Sequence, residues 1–108
     1  MRSVLLDENL PKQLKSLLSE FSVVTVAQAG WSGKRNGDLL KLANGQFEIL
    51  LTVDKGIKYQ NNFTGLSISV VQMFVKSNRL VDIIPILFLV KRAIGDIDKG
   101  QIVQIRTP

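Results

Sequence analysis

The chain has 108 residues, of which 45% are apolar and 21% charged, ordinary values for a single soluble globular domain. It contains no cysteine and no histidine, which excludes disulfides, zinc–thiolate sites and Ser-His or Cys-His catalysis. The net charge of +5, from 14 basic against 9 acidic residues, is compatible either with a polyanionic partner such as RNA or with a plain basic surface.

The predicted elements of the first half alternate between strands and helices. Short apolar or β-branched runs predict strands at 3–6, 23–26 and 49–53. The first helix is predicted from the helical spacing of Leu10, Leu14, Leu17 and Leu18. A glycine-rich loop over 28–37 leads to a second helix, for which Asn36 is the predicted N-cap and Asn44–Gly45 the predicted end.

The second half continues the alternation after a polar, irregular stretch at 55–65. A strand is predicted at 66–73, and a long helix at 78–94 that Pro85 kinks or restarts. A last strand at 102–105 is expected at or near a sheet edge. This order predicts one α/β domain over residues 1–108, with three α/β/α layers and a mainly parallel sheet of about five strands.

The chain shows no sign of export or membrane insertion. Its first residues hold only a short apolar run before two acids, unlike a signal peptide. The longest apolar stretch, 83–90, is too short to span a bilayer. We therefore expect a cytoplasmic protein without a membrane partner, which agrees with the absence of cysteine.

Carboxylates follow two of the predicted strands. Asp7 comes directly after the first strand and Asp54 after the third, so parallel neighbouring strands would bring both acids to one edge of the sheet. Asp38 lies in the first turn of the second helix, fed by a loop at that edge. We expect the three to converge as catalytic carboxylates that hold Mg²⁺ or Mn²⁺. The alternative is that Asp7 and Asp38 only stabilise helix N-termini.

Cationic and aromatic residues flank the same predicted edge. Trp31, in the glycine-rich loop, either stacks on a base or anchors the loop against the domain. The basic candidates for phosphate contacts are Lys34, Arg35, Lys55 and Lys58. Their alternative role is solubility alone.

Two segments resemble a known family. The run Leu5-Leu6-Asp7-Glu8-Asn9-Leu10-Pro11 and the later Leu51-Thr52-Val53-Asp54-Lys55 resemble the small PIN-like proteins grouped as DUF5615. The likeness extends through 23–26, Ala29-Gly30-Trp31 and 38–43, and weakens after residue 75. The resemblance depends on the occurrence of both motifs in one chain, since either motif alone is less specific.

The resemblance implies a PIN-like Rossmannoid fold and a Mg²⁺- or Mn²⁺-dependent ribonuclease related to the toxins of bacterial toxin–antitoxin pairs. It implies RNA as a partner, and it suggests a cognate antitoxin protein and a second copy of the chain as further partners. Asp7, Asp54 and Asp38 match acidic positions of the family, while Glu8 and Asn9 match its motif in an auxiliary place. Asn36 and Gly56 stand where relatives often carry acids.

Two other functions are compatible with the same residues. A non-catalytic PIN-like module would keep the fold and bind a partner protein or RNA, as the missing acids suggest. A receiver-like phosphoacceptor domain also has an acidic pair after strand one and an aspartate after strand three. That domain additionally needs Ser or Thr after strand four and Lys after strand five.

Overall fold

The computed structural model of the chain describes residues 1–57 and 65–107, except for the side chain of Asn36. The strands in this part of the chain are β1 Ser3–Leu6, β2 Ser22–Thr25, β3 Ile49–Thr52, β4 Ser69–Phe74 and β5 Ile102–Arg106. The helices are α1 Gln13–Leu17, α2 Asn36–Ala43, α3 Leu80–Ile83, a 3-10 helix Ile84–Ile86 and α4 Leu87–Asp96.

The described strands form one sheet in the order β2-β1-β3-β4-β5, and every neighbouring pair is parallel. β1 and β3 lie in the middle of the sheet, with Leu6 opposite Leu51, whereas β2 and β5 form its edges. The predicted α/β class and parallel sheet are confirmed. The predicted edge position of the last strand is confirmed as well.

The sheet separates two apolar cores because successive side chains of a strand point to opposite faces. Val4 and Leu6 of β1 pack with α1 and α4, in what we term the α1/α4 core. Leu5 packs on the other face with Leu39 and Leu40 of α2, in the α2 core. The chain therefore has a helical layer on each face of the sheet.

Several predicted boundaries differ from the structure, and three of these differences have identifiable reasons. β4 begins at Ser69 instead of residue 66, since the amides of Ser67 and Ile68 donate to the side-chain Oδ1 of Asn44 rather than to β3. The long helix predicted at 78–94 is divided into α3, the 3-10 helix and α4, because Pro85 lacks an N–H and cannot continue an α-helix.

The third difference concerns the start of α2. Arg35 has extended backbone angles and occupies the capping position, so Asn36 is the first helical residue. The prediction that Asn36 is the N-cap is therefore wrong by one residue. The end of the helix is as predicted, since Gly45 follows Asn44 with a φ of +86°, which favours glycine.

The apolar helices of the described residues are short. Within residues 1–57 and 65–107, none is both long and apolar enough to cross a membrane.

Candidate functional site at the carboxyl edge of the sheet

The order of the strands reverses at β1 and β3. β2 lies on one side of β1, and the chain then crosses to β3 on the other side. In open parallel sheets, ligands bind outside the carboxyl ends of the strands at such a reversal. Asp7 directly follows β1 and Asp54 lies two residues beyond β3, so both acids leave neighbouring strands at this edge, as predicted.

Asp7 is a buried acid, with only 6% of its surface exposed. Its Oδ2 accepts a hydrogen bond of 2.6 Å from the hydroxyl of Thr52, and its amide donates to the carbonyl of Leu51. Its side chain does not cap α1, which begins at Gln13 after Lys12 and has no side-chain cap hydrogen bond. The alternative that Asp7 serves as a helix cap is therefore excluded.

Asp54 is half-buried and tied to the same threonine. Its amide donates to Thr52 Oγ1 over 3.1 Å, while its Oδ1 accepts from the amide of Gly56 over 2.9 Å. Its carbonyl accepts from the side-chain amide of Gln72 over 2.7 Å. Thr52 thus links the two acids, since its hydroxyl contacts the carboxylate of one and the backbone of the other.

A row of polar side chains crosses the sheet at this level. Thr52 lies opposite Gln72, which lies opposite Gln104. The first two are fully buried, and Gln104 donates to Gln72 over 3.2 Å. Sequence reasoning gave these residues no role. The available signal was a polar residue within or at the end of a largely apolar run in each of these strands.

The expected convergence of three acids does not occur. Asp38 is exposed in the first turn of α2, and within the described chain no three acidic side chains are grouped closely enough to hold a metal ion. Asp38 therefore does not complete a three-acid group with Asp7 and Asp54. The pair still offers hard oxygen ligands, and Mg²⁺ is commonly held by one or two carboxylates completed by waters and substrate phosphates.

The auxiliary residues of the first loop have structural contacts. Glu8 Oε1 accepts a hydrogen bond of 3.0 Å from the amide of Gly33, which fastens the glycine-rich loop to the end of β1. The carbonyl of Asn9 accepts from the side-chain amide of Asn78 over 2.6 Å. Asn9 does not cap α1, because Lys12 precedes that helix.

The nucleic-acid candidates divide into two groups. Trp31 is half-buried in the α2 core, with its ring edge-to-face against Phe47 at 6.0 Å between centroids, as expected for a loop anchor. Lys34, Arg35 and Lys55 are exposed. Lys58 lies outside the described residues.

The positions that a receiver-like domain would need carry other residues. β4 ends at Phe74 and β5 at Arg106, whose guanidinium lies 4.0 Å from the centroid of the Phe74 ring. This cation–π pair stands where the hydroxyl and the lysine would be required.

The pKa of the Glu20 carboxyl lies below its ordinary value. A backbone hydrogen bond at Glu20, followed by Lys91 at 3.2 Å, lowers the pKa of the Glu20 carboxyl. Both residues lie on the α1/α4 side of the sheet, and neither belongs to the pair of acids.

The fold and the edge together define a class: a three-layer α/β domain whose parallel sheet carries a buried and a half-buried aspartate at its strand-order reversal. Comparison with protein-family models, curated proteins and solved structures finds no match to this chain. The PIN-like resemblance therefore stays a prediction.

Proposed function

We propose that this chain is a Mg²⁺- or Mn²⁺-dependent ribonuclease of the PIN-like class in which Asp7 and Asp54 hold the metal. One observation carries the proposal: two acids follow the central, neighbouring strands β1 and β3 at the reversal of strand order. The burial of Asp7 supports it, because a carboxylate removed from water costs free energy unless a partner or ligand compensates.

The metal, when bound, supplies a Lewis acid and a water whose pKa is lowered. The protein supplies the orientation. Thr52 holds Oδ2 of Asp7 in one direction, and the amide of Gly56 holds Oδ1 of Asp54. Such hydrogen bonds fix ligating carboxylates and are part of the function of metal sites.

The exposed cations account for substrate binding in this proposal. Lys34 and Arg35 precede α2, and Lys55 follows Asp54 directly, so all three belong to loops at the carboxyl edge. Phosphate contacts of this kind position RNA without reading its sequence.

The test is cleavage of a labelled single-stranded RNA by the purified chain with Mg²⁺ or Mn²⁺. Asp7→Asn and Asp54→Asn should each lower the rate by about a hundredfold or more, because loss of a metal ligand removes several kcal/mol of transition-state stabilisation. EDTA should abolish cleavage in the unmodified protein.

Asp96→Asn is the matched control, since Asp96 is exposed at the end of α4. It should leave the rate unchanged. Thermal melts of all three variants check that they fold. Cleavage that persists equally in EDTA and in the Asp7→Asn/Asp54→Asn double variant would contradict the proposal.

The absence of a three-acid group in the described chain favours a second candidate, a non-catalytic module that binds RNA or a partner protein. Calorimetry with Mg²⁺ and Mn²⁺ separates the two functions. The ribonuclease should bind Mn²⁺ at millimolar concentration or below and lose that binding in Asp7→Asn. The module should show no metal binding in this range.

The toxin role is a finer part of the proposal. Induced expression of the chain in a bacterial host should arrest growth, whereas Asp7→Asn at equal expression should not. Growth arrest by both forms would indicate a toxicity unrelated to the carboxylates.

A further inference from the structure

A cleft of about 350 Å³ opens beside Asp7, between α1 and the turn after β2; we term it the α1 cleft. Leu6, Leu10 and Ala27 contribute apolar walls, while Lys12 and Lys15 contribute cations. The volume falls at the small end of the range of ligand sites, about 300–1,000 Å³. It therefore suits one small ligand unit rather than a protein segment.

The ammonium group of Lys15 is held in place at this cleft. Its Nζ donates to Oε1 of Gln28 over 3.0 Å. The same oxygen accepts from the amide of Thr25, and the amide of Gln28 donates to Thr25 Oγ1, so the glutamine is fixed on both sides. A lysine has three donors, and this arrangement uses one of them.

The carboxylate of Asp7 is within reach of a ligand in the cleft. Asp7 lines the cleft, and the hydrogen bond from Thr52 engages its Oδ2. In the described residues no fully buried side-chain polar atom lacks a partner. Because Oδ1 of Asp7 has no partner among them, this oxygen must reach solvent.

We propose that the α1 cleft binds one nucleotide of single-stranded RNA, with Lys12 and Lys15 on its phosphate and the apolar walls on its base. A ligand of the α1 cleft must pair with its cations, hydrogen-bond to its acids and pack against its apolar walls. Phosphate pairs with the lysines, whereas the ribose hydroxyls donate to Asp7 and to Glu8, which also lines the cleft. A simple dianion would leave the acids opposed to its charge.

This inference rests on the proposed function for its choice of RNA, and it places the bound nucleotide next to the proposed metal-holding Asp7. It adds a binding site on α1 that is distinct from the exposed cations of the loops before α2 and after β3. Because binding at this site needs no metal, it can be measured in EDTA, where the proposed cleavage does not occur.

The experiment measures the affinity of the full chain for a fluorescent single-stranded RNA in EDTA, by anisotropy at several salt concentrations. Lys12→Ala and Lys15→Ala should each raise Kd by about fivefold. The double variant should also lower the slope of log affinity against log salt by about one. DNA of the same sequence should bind severalfold more weakly.

Lys41→Ala is the matched control, because Lys41 is exposed in the last turn of α2, away from the cleft. It should leave Kd unchanged. Methyl NMR signals of Leu6, Leu10 and Ala27 in the unmodified protein provide a readout that needs no variant, and adding RNA should shift them.

Three results would each overturn the nucleotide site. These are an equal loss of RNA affinity in Lys41→Ala, an unchanged Kd in the Lys12→Ala/Lys15→Ala double variant, and methyl signals that RNA does not shift. Equal affinity for DNA would overturn the assignment of ribose to the acids. The two proposals fail separately. A cleavage rate that is unchanged in Asp7→Asn would contradict the proposed ribonuclease function. An RNA affinity that is unchanged in the Lys12 and Lys15 variants would contradict only the nucleotide site in the α1 cleft.

Discussion

Thr52 is the residue on which the candidate site depends most. It is fully buried, and its hydroxyl serves both as donor to Asp7 and as acceptor for the amide of Asp54. Hydrogen bonds to charged groups contribute more to stability than neutral ones, and a buried partner left without its donor is costly.

We expect Thr52→Val to lower the free energy of unfolding by about 1–3 kcal/mol, because Asp7 would keep its burial and lose its donor. Thr52→Ser retains the hydroxyl and should cost about 1 kcal/mol or less, the loss of one methyl group. Urea unfolding at neutral pH measures both. Equal losses in the two variants would show that packing, rather than the hydrogen bond, is the contribution of Thr52.

At the scale of elements, two glycines near the connection between α4 and β5 have different surroundings. Gly100 has a φ of +73°, and a Cβ there would lie 2.9 Å from the carbonyl oxygen of Leu66. Gly95 lies within α4, and a Cβ there would meet nothing within 4 Å.

These glycines should respond to alanine in opposite directions. Gly100→Ala should destabilise the protein by about 1–3 kcal/mol, since it imposes strain and a contact with a backbone oxygen. Gly95→Ala should stabilise it by up to about 1 kcal/mol through helix propensity. Thermal melts compare the two. A loss of stability in Gly95→Ala would mean that the end of α4 is strained.

At the scale of the whole molecule, one sheet joins the two cores. Leu50 and Leu51 are adjacent and fully buried in β3, yet they belong to the α2 core and the α1/α4 core respectively. Trp31 belongs to the α2 core and reports on that face. A shared central strand should make the two faces unfold together.

We therefore expect Leu50→Ala and Leu51→Ala each to lower the stability by about 2–5 kcal/mol while preserving one cooperative transition. Trp31 fluorescence and far-ultraviolet circular dichroism should give coincident urea curves in both variants. If Leu51→Ala shifted only the circular dichroism curve, the two cores would be independent units.

The sequence by itself determined the elements and the two acids that end strands. The predicted apolar runs 3–6 and 49–53 form buried strands, the second ending at Thr52, because local patterning and burial agree there. Asp7 directly follows the first strand, and Asp54 lies two residues beyond the second. Pro85 marked the break between α3 and α4 for a purely local reason, its missing N–H.

Only the tertiary structure decided whether the three predicted acids group together. The predicted convergence of Asp38 with Asp7 and Asp54 fails, because Asp38 is exposed on α2 and no three acids of the described chain group together. Strand register and helix placement alone bring Thr52 opposite Gln72 and form the α1 cleft with Lys12 and Lys15. The physical reason is distance along the chain: these contacts join residues many positions apart, and no local pattern records which strand or helix becomes a neighbour.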